Sequence, residues 1–207
     1  LRYYYFGKIL KKFSCTLEEI EHFNFIYFPL PTEPEYINHS LIKEFNNVYA
    51  IIQQISQCMP AGYKLVLKEH IVNIGNKKLD YYKSLKKLPN VIFADYLISG
   101  PELLKYSKSV ITVAGTSAIE AGELGKNVVL LADTVEYNFL PNIIKVKDIK
   151  KMPEYLNKSI AKVSKIEVEN IKKWTLAYKH AMRSIGYYVP NSKLFQGSSN
   201  VIKKNDL

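Results

Sequence analysis

Two cysteines and one tryptophan stand in 207 residues. Cys15 and Cys58 are too few for a disulfide framework or a zinc site, and they fit a reducing cytoplasm. Aspartates and histidines do not cluster, so no metal and no cofactor is implied. No apolar run approaches the roughly 18 to 20 residues that a spanning helix needs, which excludes an integral membrane helix. Residues 1–8 lack the ordered basic stretch, apolar core and small-residue cleavage site of a signal peptide. There is no initiator Met, and an excised piece of a longer chain is expected. No internal repeat and no low-complexity linker interrupts the sequence. What is present is 47% hydrophobic and 23% charged, the balance of a folded globular chain.

The formal net charge of +10 is placed unevenly. Residues 1–144 hold 15 Lys+Arg against 14 Asp+Glu, whereas residues 145–207 hold 14 against 5. A basic region behind a near-neutral body points to a local anionic partner. An A/T-rich genome, with its many lysine and tyrosine codons, would give a similar composition.

Short apolar runs alternate with helical patterns. Strands are predicted at Phe25–Leu30, Lys64–Glu69, Val91–Ala94, Ser109–Ala114 and Asn127–Leu131. Helices are predicted at Leu41–Cys58, Lys77–Leu88, Pro101–Tyr106 and Ser117–Leu124, with Gly125 closing the last. Strands apolar on both faces and separated by helices describe a parallel sheet covered on both sides. The fold class is therefore α/β, doubly wound and Rossmann-like. From about Met152, apolar residues such as Ile160, Ile171, Trp174 and Tyr178 recur between lysines. One or two basic amphipathic helices are expected there, with the apolar stripe packed against the sheet. Residues from Gly197 onward read as a frayed end. The expected organisation is an extension or remnant of an upstream domain at 1–22, a Rossmann-like domain at 23–150, and basic helices with a tail at 151–207.

In such sheets ligands sit beyond the carboxyl ends of the strands. Three segments fall there. In Val113-Ala114-Gly115-Thr116-Ser117-Ala118-Ile119-Glu120 a strand ends in a glycine turn, and Thr116 or Ser117 is placed to cap the next helix. Free N–H groups and hydroxyls at that start suit a phosphate, and Glu120, one turn on, suits sugar hydroxyls. In Lys68-Glu69-His70, a lysine and a histidine reach the same edge, where they suit phosphate binding or leaving-group positioning. In Phe28-Pro29-Leu30-Pro31-Thr32-Glu33-Pro34-Glu35, prolines stiffen a loop that presents Glu33 or Glu35.

These segments, taken in order with Pro60-Ala61-Gly62, Pro89-Asn90-Val91 and Gly125-Lys126, resemble the capsule polysaccharide biosynthesis proteins over roughly residues 23 to 142. Those are GT-B-type glycosyltransferases that include bacterial Kdo transferases, and they resemble bacterial sialyltransferases in binding a CMP-activated sugar. The family usually shows Gln-Pro-Glu where this chain has Glu33-Pro34-Glu35, and His-Pro where this chain has His70-Ile71. The resemblance implies the C-terminal, nucleotide-sugar-binding half of a GT-B fold. It implies catalytic roles for His70 and Glu33, and substrate contacts for Pro34, Lys68, Gly115, Thr116, Ser117 and Glu120.

The expected function is that of a glycosyltransferase of bacterial surface polysaccharide synthesis, with this chain binding the nucleotide-sugar donor, a CMP-sugar in preference. A saccharide or lipid-linked acceptor is the second substrate, and the basic C-terminal region is expected to meet an anionic inner-membrane surface from the cytoplasm. Nucleic acid is not the expected partner. Two alternatives remain open. One is a UDP-sugar 2-epimerase-like enzyme, which shares the glycine turn. The other is a non-catalytic basic module that binds nucleic acid or anionic membrane.

Overall fold

The computed structural model describes residues 2–32, 47–132 and 135–184. Seven strands form one sheet: β1 (Ser14–Cys15), β2 (Asn24–Pro29), β3 (Tyr63–Lys68), β4 (Val91–Ala94), β5 (Ser109–Thr112), β6 (Val128–Leu130) and β7 (Ile143–Lys145). They lie in the order β1-β4-β3-β2-β5-β6-β7, and every neighbouring pair is parallel. The α/β Rossmann-like class predicted from the sequence is the observed one.

Eight helices accompany the described strands: α1 (Arg2–Phe13), α2 (Leu17–Ile20), α3 (Val48–Gln57), α4 (Leu79–Lys86), α5 (Gly100–Tyr106), α6 (Ser117–Glu123), α7 (Met152–Ile160) and α8 (Lys165–Ser184). Strand alternation sorts the core into two layers. Ile26, Phe28, Leu65, Leu67, Phe93 and Ile111 face α3, α4 and α7 through Ile52, Ile55, Tyr82, Leu85 and Leu156. Phe25, Tyr27, Val66, Val110 and Val128 face α5 and α6 through Leu103, Leu104, Ala118 and Ala121. Both faces of β5 and β6 are buried, which is why they read as unbroken apolar runs.

Residues 2–22, set apart in the sequence as an extension, add α1, β1 and α2 to this sheet. Leu10 and Ile20 are buried in the two layers, and β1 pairs with β4. The helix predicted from Leu41 is observed from Val48, where the Asn47 side chain accepts from Ala50 N at 3.1 Å. Residues 41–46 lie outside the described residues, as do Glu33, Pro34 and Glu35, and the tail from 185 onward.

The expected C-terminal helices are two. α7 buries Met152 and Leu156 against β5 and β6. α8 docks on α6 and not on the sheet, because α6 already covers that face. Gly122 allows the close approach: a Cβ there would run into Thr175 Oγ1. The predicted apolar stripe is therefore only partly used. Ile171 is buried, while Ile166 and Trp174 remain exposed at 81% and 51%. Among the described residues no helix is long and apolar enough to cross a membrane.

Candidate functional site

β3 and β5 both pair with β2, so their carboxyl ends flank it. With strands about 4.8 Å apart, the exits at Lys68 and Thr112 stand on the order of 10 Å from one another along one edge. The structure thus brings the Lys68-Glu69-His70 and Gly115-Thr116-Ser117 segments to a common edge. They lead to opposite faces: the first runs on to α4, the second into α6.

The turn after β5 is held by three hydrogen bonds. Gly115 N donates to Thr112 Oγ1 at 2.9 Å. Ala118 N donates to the Gly115 carbonyl at 3.2 Å, and the Tyr137 hydroxyl donates to the same carbonyl at 3.0 Å. A Cβ on Gly115 would stand 2.9 Å from Thr112 Oγ1, so close packing explains the glycine. The expected side-chain cap is not made. Thr116 occupies the N-cap position of α6 in a helical conformation (φ −60°, ψ −16°) without a capping bond. Ser117 Oγ is buried and has no hydrogen-bond partner among the described residues.

Glu120 is half-buried one turn into α6. Burial, then repulsion from Glu123, holds its carboxyl above the ordinary range, while Lys179 and the Thr116 hydroxyl pull it back. Lys179, from α8, is paired with Glu123. The buried Tyr27 phenol lies within electrostatic range of Glu120 and is pushed up by burial first and by that carboxylate second. On its outer side α6 is covered by α8.

At the β3 exit, Lys68 alternates with Val66 and so projects to the α5–α6 face. Desolvation lowers its ammonium pKa, opposed by Glu69 and Asp95. His70 caps a short 3-10 turn at Ile71–Asn73: its Nδ1 accepts from Val72 N at 3.4 Å. Burial and then Lys68 hold the imidazole below its usual pKa, and Glu69 acts the other way.

Sequence reasoning missed two residues here. Tyr137 carried no local signal. Glu69 was visible only as the middle of a charged triplet, yet it is the most buried charge at this edge, at 2% exposure. Among the described residues no group of three or more His, Cys, Asp or Glu side chains is placed to hold a metal ion.

A groove of about 490 Å³ lies at the opposite, amino edge of the sheet, lined by Lys108, Lys126 and Lys162 among others. The C-termini of α5, α6 and α7 converge there, and the lysines complement their negative ends. Lys126 Nζ donates to the carbonyls of Lys105 at 2.7 Å and Ser107 at 2.5 Å. Burial and Lys108 bring its pKa down to about 8. These contacts account for Lys126 as a cap on the carbonyl end of α5.

No family model matches the sequence. Protein FixF of Sinorhizobium fredii (strain NBRC 101917 / NGR234) is 30% identical over 131 residues, which is 63% of this chain and 31% of FixF. Among solved structures, CalG4, the calicheamicin glycosyltransferase, superposes with a TM-score of 0.50 at 17% identity, covering 81% of this chain and 44% of that one. Thermosulfurimonas dismutans KpsC, a beta Kdo 2,4 transferase, gives a TM-score of 0.45 at 14% identity over 81% of this chain and 55% of that one. The chain therefore spans less than half the length of FixF and of CalG4. Its fold is glycosyltransferase-like, of the Rossmann α/β type.

Proposed function

We propose that this chain is the donor-binding half of a glycosyltransferase that acts in bacterial surface polysaccharide synthesis and uses a nucleotide-activated sugar, a CMP-sugar in preference. The observation that carries this reading is Ser117 Oγ, a buried hydroxyl without a partner, beside a glycine turn at the ligand edge of the sheet. Buried polar atoms are nearly always satisfied, so such an atom at such an edge points to a ligand. The backbone N–H groups of Thr116 and Ser117 likewise have no partner among the described residues.

In this reading an acceptor hydroxyl attacks the anomeric carbon of the donor while the nucleotide phosphate leaves. Charge develops on the phosphate oxygens. The N–H groups of Thr116 and Ser117 and the hydroxyls of the Gly115-Thr116-Ser117 turn, with His70 from the β3 exit, stabilise it in place. Glu120 accepts from the sugar hydroxyls of the nucleotide. Lys68, on the same face as Tyr27, adds positive charge. Glu33 and Pro34 belong to the same proposal through the sequence resemblance alone.

The experiment is calorimetric titration of the folded chain with CMP, UMP and their sugar derivatives. Binding that is tighter for CMP supports the reading. No binding at millimolar nucleotide refutes it.

A second role is favoured by one further observation. Lys165 and Lys172 fall along one flank of α8, which suits an anionic membrane surface from which a lipid-linked acceptor would be presented.

A further inference from the structure

Glu69 sits between the two residues read as donor ligands, yet its carboxylate faces inward and is fully engaged. Oε1 accepts from His70 N at 2.8 Å and from Asn73 Nδ2 at 3.2 Å. Oε2 accepts from Tyr82 OH at 2.9 Å and from Lys77 Nζ at 3.3 Å. Asn73 Nδ2 also reaches the Pro31 carbonyl at 3.2 Å, which ties the β3 exit to the β2 exit. Tyr82 is fully buried, and the Lys77 side chain is 9% exposed.

Burying a carboxylate is costly unless its oxygens are satisfied, and an apolar replacement would often serve stability equally well. What the cluster fixes is one short turn, residues 70–73, and the side chain that this turn carries is His70. Within the turn, Nδ1 of His70 accepts from Val72 N. In the neutral ring the proton therefore resides on Nε2, which is left as a donor.

We propose that Glu69 is a positioning residue of the donor site: by locking the 70–73 turn it holds His70 as the Nε2–H tautomer, ready to donate to an anionic oxygen of the ligand. This rests on the donor-site reading above and adds to it the element that orients its histidine. Glu69 touches no substrate. It acts through the backbone N–H of His70 and through Asn73.

The test joins nitrogen-15 NMR of the His70 ring with calorimetric titration by CMP and UMP. The chains compared are wild type, Glu69→Gln, His70→Ala and the double variant. The neutral wild-type ring is expected as Nε2–H. Glu69→Gln is expected to mix the tautomers and to weaken nucleotide binding by about three- to tenfold. In the double variant the loss should be no greater than that of His70→Ala, because both act through one group.

An unchanged tautomer and affinity in Glu69→Gln overturns the proposal, as does a loss that adds in full to that of His70→Ala. So does a wild-type ring found as Nδ1–H, a result that needs no variant to fold. Full affinity in His70→Ala refutes the donor role of His70 instead, and the tautomer measurement still decides whether Glu69 holds the ring.

Discussion

The Tyr137 hydroxyl donates to the Gly115 carbonyl oxygen at 3.0 Å, which fastens the segment after β6 to the turn after β5. Tyr137 is 5% exposed, and it packs edge-on against Tyr178 of α8 at 6.5 Å between ring centroids. The turn therefore takes its shape from residues far along the chain. Tyr137→Phe keeps the packing and removes the bond. A stability loss of about 1 kcal/mol in denaturant unfolding is expected, with weaker nucleotide binding in calorimetry. A variant unchanged in both respects would show the bond to be idle.

Gly115→Ala tests the close approach at the same turn. The new Cβ would stand 2.9 Å from Thr112 Oγ1, which also accepts from Gly115 N and cannot swing aside without freeing that donor. Overpacking of this kind costs about 1 to 3 kcal/mol. Thr112→Ala in the same chain relieves the clash but not the lost bond, so it should restore stability only in part. Equal stability of wild type and Gly115→Ala would remove the steric account.

Much of this site was legible in the sequence because a strand, a glycine turn and a helix start lie within ten residues. Val91–Ala94 was read with the observed bounds, and α5 and α6 to within one residue, since each has a local stop signal. Tyr137 was not legible: it acts 22 positions from its partner, and no periodicity marks it. The role proposed for Glu69 depends on Tyr82, 13 positions on. β1 and β7 were missed because two or three residues are too short to show alternation. The sheet-packed stripe expected of α8 failed for a topological reason: α6 occupies the face that the stripe would have covered.

The α6–α8 contact yields a third prediction. Gly122→Ala drives a methyl into Thr175 Oγ1, which is fully buried and donates to the Ile171 carbonyl at 2.8 Å. A loss of about 1 to 3 kcal/mol is expected. Adding Thr175→Ala makes room, so the double variant should be more stable than Gly122→Ala alone. A double variant that is less stable would mean that the helices do not meet at this pair.

Glu120 yields a dependence on pH. Its folded pKa is held above the ordinary 4.5 by burial and by Glu123. In the window above 4.5 the unfolded chain releases the proton first, so Glu120 lowers stability as pH rises through that window. In the proposed donor site, binding of sugar hydroxyls by the carboxylate would run the other way. Nucleotide affinity should fall as pH drops through the raised pKa, because the proton competes with the ligand. Glu120→Gln should flatten that dependence and weaken binding by about 1 to 3 kcal/mol at neutral pH. Calorimetry across the range from about pH 5 to pH 8 reads both effects, and a pH profile shared by wild type and variant would acquit Glu120.

The geometry of α8 decides how its charge would meet a membrane in the proposed second role. At 100° per residue, Lys165, Lys172, Lys179 and Arg183 fall within about 40° of one another around the axis. Trp174 lies roughly opposite, on the order of 160° away. Lys179 is already committed to Glu123. A surface that attracts the basic flank therefore leaves the indole pointing away from it. Co-sedimentation should show binding to anionic vesicles but not to neutral ones, weakening at high salt. Replacing Lys165 and Lys172 with Glu should abolish it, since each basic residue near such a surface contributes about 1 kcal/mol. Trp174 is the chain's one tryptophan, so its emission reports the orientation directly. An unshifted spectrum on bound vesicles fits the basic flank as the contact. A blue shift with salt-resistant binding would place the opposite flank in the membrane and overturn the electrostatic account, and equal binding to both vesicle types would remove it.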